Sequence, residues 1–295
     1  MKIGIATTLA LGLSFTSALA ADPVADTCNK SGVIGAYGEL GSTYDYFETD
    51  VRGLGGYGKI NFCDVLGTGL DVQTGVYVEI LKSDSDFGPG TPEAGNLGYV
   101  SHYYYRNEDF ALGVLSGLGL TFDDIFRGNQ SEITSVIGLD AHAYVDRLTI
   151  AGQFAYWTTL SDNDDNSQLK DAYQVSGELR YFPMDNLKLV GHVAYDWASN
   201  EFDRFPWKAV SFGAGAEYQF DAYPVSVFAD YTRTEGKMGS DSIGFSNMDS
   251  DQFRAGLAIH FNSDSLFTED RTGPSFKSPV IDPLQNFLAT SWQQI

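Results

Sequence analysis

From Ser31 to Phe261 the chain divides into about twelve segments of ten or so residues in which apolar and polar side chains alternate. The connections between them are by turns short and long. In Ala209 to Phe220, one parity carries Val210, Phe212, Ala214, Ala216, Tyr218 and Phe220, and the other carries Ser211, Gly213, Gly215, Glu217 and Gln219. Asp251 to Phe261 repeats the pattern. A period of two with one apolar side is a sheet between two different solvents. The double alternation predicts an all-β fold: a transmembrane antiparallel up-and-down β-barrel of about 12 strands.

Strands are expected at Ser31–Tyr44, Val51–Cys63, Leu70–Lys82, Asn96–Arg106, Phe110–Phe122, Ile133–Val145, Leu148–Leu160, Ala172–Phe182, Leu187–Ala198, Ala209–Phe220, Val225–Thr234 and Asp251–Phe261. The tight connections, such as Asn107–Asp109 and Asp146–Arg147, consist of turn-forming residue types and are expected on the periplasmic side. The longer connections are more acidic, among them Ser83–Gly95, Ser161–Asp171 and Glu235–Ser250, and are expected outside the cell. Aromatic residues gather at strand ends: Phe62, Phe110, Phe182, Phe220 and Phe261 by the short turns, Tyr44, Tyr46, Trp157, Trp197, Trp207 and Tyr231 toward the long loops. That is the pattern of two interfacial belts.

Met1 and Lys2 precede an apolar run from Ile3 to Leu13 and the small-residue sequence Ala18-Leu19-Ala20, which reads as a cleaved signal peptide over residues 1–20. No later stretch has the 18 or so uninterrupted apolar residues of a membrane helix. A closed barrel is the other structure that satisfies every backbone polar group in hydrocarbon. The expected order is signal peptide 1–20, periplasmic N-terminal segment 21–30, barrel 31–261 and a periplasmic C-terminal tail over 262–295. A net charge of −21, with 39 acids against 18 bases, argues against nucleic acid as a partner.

The last predicted strand, Arg254-Ala255-Gly256-Leu257-Ala258-Ile259-His260-Phe261, resembles the terminal-strand signal of Gram-negative outer-membrane β-barrel proteins, with Arg254, Gly256 and Phe261 at the matching positions. The resemblance implies a porin-like barrel in the cell outer membrane of a Gram-negative bacterium. It also implies the barrel-assembly machinery as a partner in biogenesis, contact with outer-membrane lipid and lipopolysaccharide, and a possible homo-oligomer.

Cys28 precedes the first strand and Cys63 ends the second, so an antiparallel pair brings both to the periplasmic rim. A disulfide is expected there, stabilising by roughly 3–4 kcal/mol in the chain-entropy model. After Phe261, Asn262 to Pro279 reads as a polar linker, and Asp282-Pro283 opens a short helix through Trp292. Three readings stand for this tail: a disordered segment with a nascent helix, a plug in the lumen, or a periplasmic docking peptide.

With the apolar parity toward lipid, the lumen receives Glu39, Lys59, Asp71, Glu79, Asp140, His142, Glu178, Arg180, Lys188, His192, Asp196, Glu217, Asp230, Arg254 and His260. An acid-rich passage favours cations. Asp140, Asp196, Glu217 and Asp230 would set the field, and Lys188, Arg180 and Arg254 would shape the constriction. About twelve strands leave a narrow bore. Glycines at Gly113, Gly117, Gly119, Gly213 and Gly215 would widen it or relieve curvature.

His102, His142, His192 and His260 all fall on the lumen parity and no serine stands in a nucleophile motif, so no catalytic residue is expected. No cofactor or metal is expected either. Asp84 and Asp86, or Asp162, Asp164 and Asp165, lack the glycine and terminal glutamate of a calcium loop. The expected function is passive diffusion of small hydrophilic solutes or ions with mild cation preference. The alternative is a non-conducting structural or adhesive barrel acting through its loops or tail, with an outer-membrane enzyme as a third reading.

Overall fold

The computed structural model describes residues 28, 30–44, 48–84, 93–123, 130–160, 169–200, 207–240 and 244–278. The expected signal peptide, the expected helix at 282–292 and the candidate calcium ligands Asp86, Asp162, Asp164 and Asp165 lie outside the described residues.

Twelve strands follow one another: β1 (Gly32–Tyr44), β2 (Glu48–Phe62), β3 (Asp71–Asp84), β4 (Glu93–Arg106), β5 (Phe110–Asp123), β6 (Gln130–Val145), β7 (Leu148–Thr159), β8 (Leu169–Met184), β9 (Leu187–Asn200), β10 (Trp207–Gln219), β11 (Val225–Ser240) and β12 (Gly244–Phe261). Each pairs antiparallel with the next, and β12 pairs with β1 from Gly32↔Phe261 to Tyr44↔Asp249, which closes the barrel. Closure removes both sheet edges, as hydrocarbon requires.

Several strands run further than the alternation indicates. The expected long connection Glu235–Ser250 is mostly strand, since β11 and β12 stay paired up to Ser240↔Gly244. Beyond an apolar band both sheet faces meet water, so the ladder continues while the period-two signal fades.

The two faces differ as expected. Ile34, Leu40, Leu54, Leu112, Leu139, Val193 and Leu257 are exposed on the outside. Outward aromatics gather toward the long connections, where Tyr173 stacks on Trp197 at 5.2 Å and Tyr156 lies 4.9 Å from Tyr173. A second group, Phe62, Phe110, Tyr181, Phe220 and Phe261, rings the short-turn end. Two belt assignments are corrected: Trp157 and Phe182 are buried and face inward. Parity decides this, because Phe154 and Tyr181, on opposite parity to them in β7 and β8, are the exposed ones.

The interior is not only the polar, mixed-charge lining expected. Val100, Leu115, Val136, Ala155, Trp157, Ala172, Ala198 and Ala209 form a buried apolar layer across β4 to β10. The inward glycines serve close packing rather than width. A Cβ on Gly117 would stand 2.4 Å from the Tyr99 carbonyl oxygen, and one on Gly213 2.1 Å from that of Tyr231. Elsewhere a tyrosine ring occupies the space: Tyr37 lies over Gly55, Tyr57 over Gly35 and Tyr77 over Gly98.

Gly98→Ala places a methyl 2.2 Å from the present Tyr77 ring position. It is expected to cost roughly 1–3 kcal/mol through overpacking. Gly38→Ala, on the outer face with no atom within 4 Å, serves as the neutral partner. Urea unfolding in lipid vesicles, read by the gel mobility of the folded barrel, checks this; equal midpoints for the two variants would refute it.

Candidate functional site

β12 is followed by Asn262, whose φ of 56° is left-handed, a conformation asparagine tolerates, and the chain turns back beneath the barrel. Ser265 then caps a seven-residue helix, α1 (Leu266–Thr272), by accepting the Thr268 N–H, and Gly273 closes it by donating to the Glu269 carbonyl. A helix this short is not stable alone in water. The barrel wall holds it.

The Phe267 N–H donates to the Asp185 carbonyl in the β8–β9 turn, and its ring meets Phe182 edge-on at 5.3 Å. Arg271 donates to the carbonyls of Asp146 and Leu148, with its guanidinium 4.6 Å over the Tyr144 ring. Asp270 accepts from Arg180 Nη1 at 2.7 Å and from Thr149. Arg180 is shared with Glu178, so a buried guanidinium joins one acid of the wall to one of the helix.

Gly273 to Ser278 then runs extended within the lumen. Arg106 donates to the Gly273 carbonyl and to Ser275 Oγ. Gln73 clasps the backbone of Phe276 from both sides: its amide donates to the carbonyl at 2.7 Å, and its oxygen accepts the N–H at 2.9 Å. Lys59 also donates to that carbonyl. The Phe276 ring is wholly buried, 4.2 Å from His142, 4.5 Å from Tyr104 and 5.4 Å from His102. Gln153 donates to the Lys277 carbonyl. Residues 262–278 therefore lie as a plug in the short-turn half of the barrel, as in the second of the three readings of the tail.

The structure divides the expected lumen residues into two sets. Lys59, His142, Glu178, Arg180 and His260 seat the plug, while Asp71 accepts the Asp64 N–H and holds the β2–β3 turn. Lys188 pairs with Glu217 at 2.5 Å beside a cavity of about 140 Å³ between plug and wall. Glu39, Glu79, Asp140, His192, Asp196, Asp230 and Arg254 lie higher. There Arg254 bridges Glu39 at 2.9 Å and Glu79 at 3.3 Å, and Tyr37 donates to Glu79. Asp140 takes His102 at 2.8 Å and Gln153 at 2.6 Å. Gln174 holds one oxygen of Asp196, whose other oxygen makes no hydrogen bond. His192 meets Thr232 at 3.0 Å. Above the plug is a cavity of about 100 Å³, partly lined by Asp140, His192, Asp230 and Arg254.

The sequence reading missed Gln73, Tyr104, Arg106, Thr149, Glu269, Asp270 and Phe276. Gln73 and Tyr104 share the inward parity, but nothing local marks them as a seat.

One arrangement has the spacing of a nucleophilic triad: Ser226 Oγ is 2.9 Å from His260 Nε2, and His260 Nδ1 is 2.6 Å from Glu269. Its proton bookkeeping points elsewhere. Ser226 donates to Glu217 at 2.6 Å, so His260 Nε2 is the donor toward serine and takes no proton from it. Ser226 is also wholly buried. His260 ties the wall to α1. The Cys28–Cys63 disulfide forms where expected, with Cα atoms 5.6 Å apart. Asp71 stands beside it, but oxidised sulfurs offer no thiolate to a metal.

No family model and no curated protein matches the chain. Among solved structures, the COG4313 outer membrane channel from Pseudomonas putida F1 is similar over 82% of this chain and 100% of its own, with 12% identity and a TM-score of 0.56. The translocator domain of autotransporter NalP from Neisseria meningitidis covers 86% of this chain and 95% of its own, with 13% identity and a TM-score of 0.48. A Pseudomonas aeruginosa FadL homologue covers 79% and 90%, with 11% identity and a TM-score of 0.43. The first of these shows the shared fold: the chain is an outer-membrane-type β-barrel, closed, antiparallel and twelve-stranded.

Proposed function

We propose that this protein is a diffusion channel of the Gram-negative outer membrane for small hydrophilic solutes or ions, with mild cation preference, and that its periplasmic mouth is closed by its own residues 262–278. The docked plug carries the reading. A segment held by side chains from β2, β3, β4, β6, β7, β8 and β12 fills the bore where solute would leave. The export signal read in residues 1–20, the terminal-strand signal in β12 and the apolar outer band support the location. Above the plug, Asp140, Asp196 and Asp230 support the cation preference, Asp196 offering a carboxylate oxygen without a hydrogen bond. Transport of this kind needs no catalytic residue and no cofactor.

The apolar layer around Trp157 favours a second reading, a structural barrel that never conducts. Single-channel recording in planar bilayers, with a salt gradient, separates the two. The refolded mature protein is expected to be closed for most of the record, whereas a chain ending at Phe261 is expected to show long-lived steps and a cation-positive reversal potential. Silence from both chains would establish the structural reading. Equal steps from both would show that the plug does not gate.

A further inference from the structure

The short segment that precedes β1 touches the plug where it begins and where its helix ends. At the beginning, the Asn262 amide donates to the Lys30 carbonyl at 3.1 Å. At the end, Ser31 Oγ packs against Gly273, 2.7 Å from the place a Cβ there would take. Asn61, buried near the end of β2, joins this segment to the helix. Its backbone N–H donates to the Ser31 carbonyl at 2.8 Å, and its side-chain amide lies 3.0 Å from Cys28 Sγ and 3.4 Å from the carbonyl of Thr272, the last residue of α1. Its side-chain oxygen accepts from Tyr104, whose ring stands 4.5 Å from that of Phe276. One side chain thus meets the disulfide, the end of the helix and the residue against which the anchoring ring packs.

We propose that the Cys28–Cys63 disulfide is a site of thiol–disulfide exchange that sets how firmly the plug closes, with a periplasmic dithiol as its partner. From Gly32 onward the chain is fixed by the ladder, since Gly32 pairs with both Ile60 and Phe261. Cys28 and Lys30 precede that ladder, and the covalent bond to Cys63 is what places them. Both cysteines are only half-buried at the short-turn rim, within reach of a reductant. A thiolate of the dithiol attacks one sulfur, forming a mixed disulfide and releasing the other cysteine as a thiolate. The second thiol of the partner then breaks the mixed disulfide. The dithiol leaves oxidised, and two electrons and two protons remain on Cys28 and Cys63. Asn262 then loses the fixed carbonyl that receives it, and the Asn61 amide loses a group that orients it toward Thr272. The β1–β2 ladder is complete without the bond, so the loss falls on docking of the plug. The inference rests on the proposed function, in which the plug gates the bore and the short turns face the periplasm.

The test treats the folded, oxidised protein with dithiothreitol, confirms two thiols per molecule by titration, and reads both bilayer conductance and hydrogen exchange by mass spectrometry. On reduction the ratio of open to closed channels is expected to rise about tenfold, the size of one or two net hydrogen bonds, and to fall back on re-oxidation. Amides of residues 262–278 should exchange faster by a similar factor, while those of β5 to β9 stay as they were. Cys28→Ser with Cys63→Ser should carry the raised ratio and ignore dithiothreitol. Asn262→Gly, which keeps the left-handed turn and removes the amide, should raise the ratio in the oxidised protein and shrink the further response to reduction. Unchanged exchange of the plug after full reduction, or a rise shared equally by the whole barrel, would overturn the proposal and leave the bond as a staple of the wall. Exchange needs no conduction, so the two readings fail separately: a plug that loosens on reduction in a barrel that is silent even when cut at Phe261 keeps the thiol-controlled latch and removes the channel.

Discussion

Replacing Phe276 with alanine is expected to open the barrel. The ring is wholly buried against His142, His102 and Tyr104, with the Arg106 guanidinium 5.7 Å from its centre, so removing it leaves a cavity that the rigid wall cannot fill. Phenylalanine to alanine at such a site costs about 3–5 kcal/mol. Here the loss falls on docking of a tethered segment and not on the barrel ladder. At roughly 1.4 kcal/mol per factor of ten, the ratio of open to closed channels should rise by about two to three orders of magnitude. Bilayer recordings would show this as open time, with the unfolding midpoint of the barrel in vesicles little changed. A Phe276→Ala channel as silent as the parent would mean that the seat does not depend on this ring.

Asp270→Asn attacks the same closure through charge. Arg180 and Asp270 are both buried and meet at 2.7 Å, and Thr149 also donates to Asp270. Removing one partner of a buried ion pair typically costs about 3–5 kcal/mol, because the other is left buried and short of a counter-charge. Glu178 remains beside Arg180, which places the expectation near the lower figure. A double-mutant cycle with Arg180→Met isolates the pair: coupling of about 1–3 kcal/mol in the closing equilibrium is expected, and additivity within about 0.5 kcal/mol would count against a direct role. Buried pairs are weakly screened, so raising salt should not open the parent protein.

The barrel was legible in the sequence because lipid on one side and lumen on the other impose a period of two on every strand, and Val210 to Phe220 shows it without interruption. Strand ends were less legible. Arg233, Glu235 and Asp249 are polar on the outward parity where the β11–β12 hairpin leaves the apolar band, so a real ladder there looks like a loop. Trp157 and Phe182 were misplaced when residue type was allowed to outweigh parity. The sequence offered a plug as one of three readings of the tail, and what would choose among them was hidden for a different reason. Residues 262–278 are mostly polar, and their complement is scattered over Lys59, Gln73, Arg106, Thr149 and Arg180, which only the closed barrel assembles. Composition distinguishes a linker from a core, but not from a segment whose core is polar.

The helix that stops the bore begins only a few residues after Phe261, the last residue of the strand that completes the wall. Stopper and vessel are one molecule joined by a very short leash. Once released, the stopper still sees its seat at an effective concentration on the order of millimolar or above, whatever the amount of protein in the membrane. Reclosing is therefore a first-order event that dilution cannot slow. A solute or periplasmic partner that holds this channel open must outbid a competitor that never diffuses away.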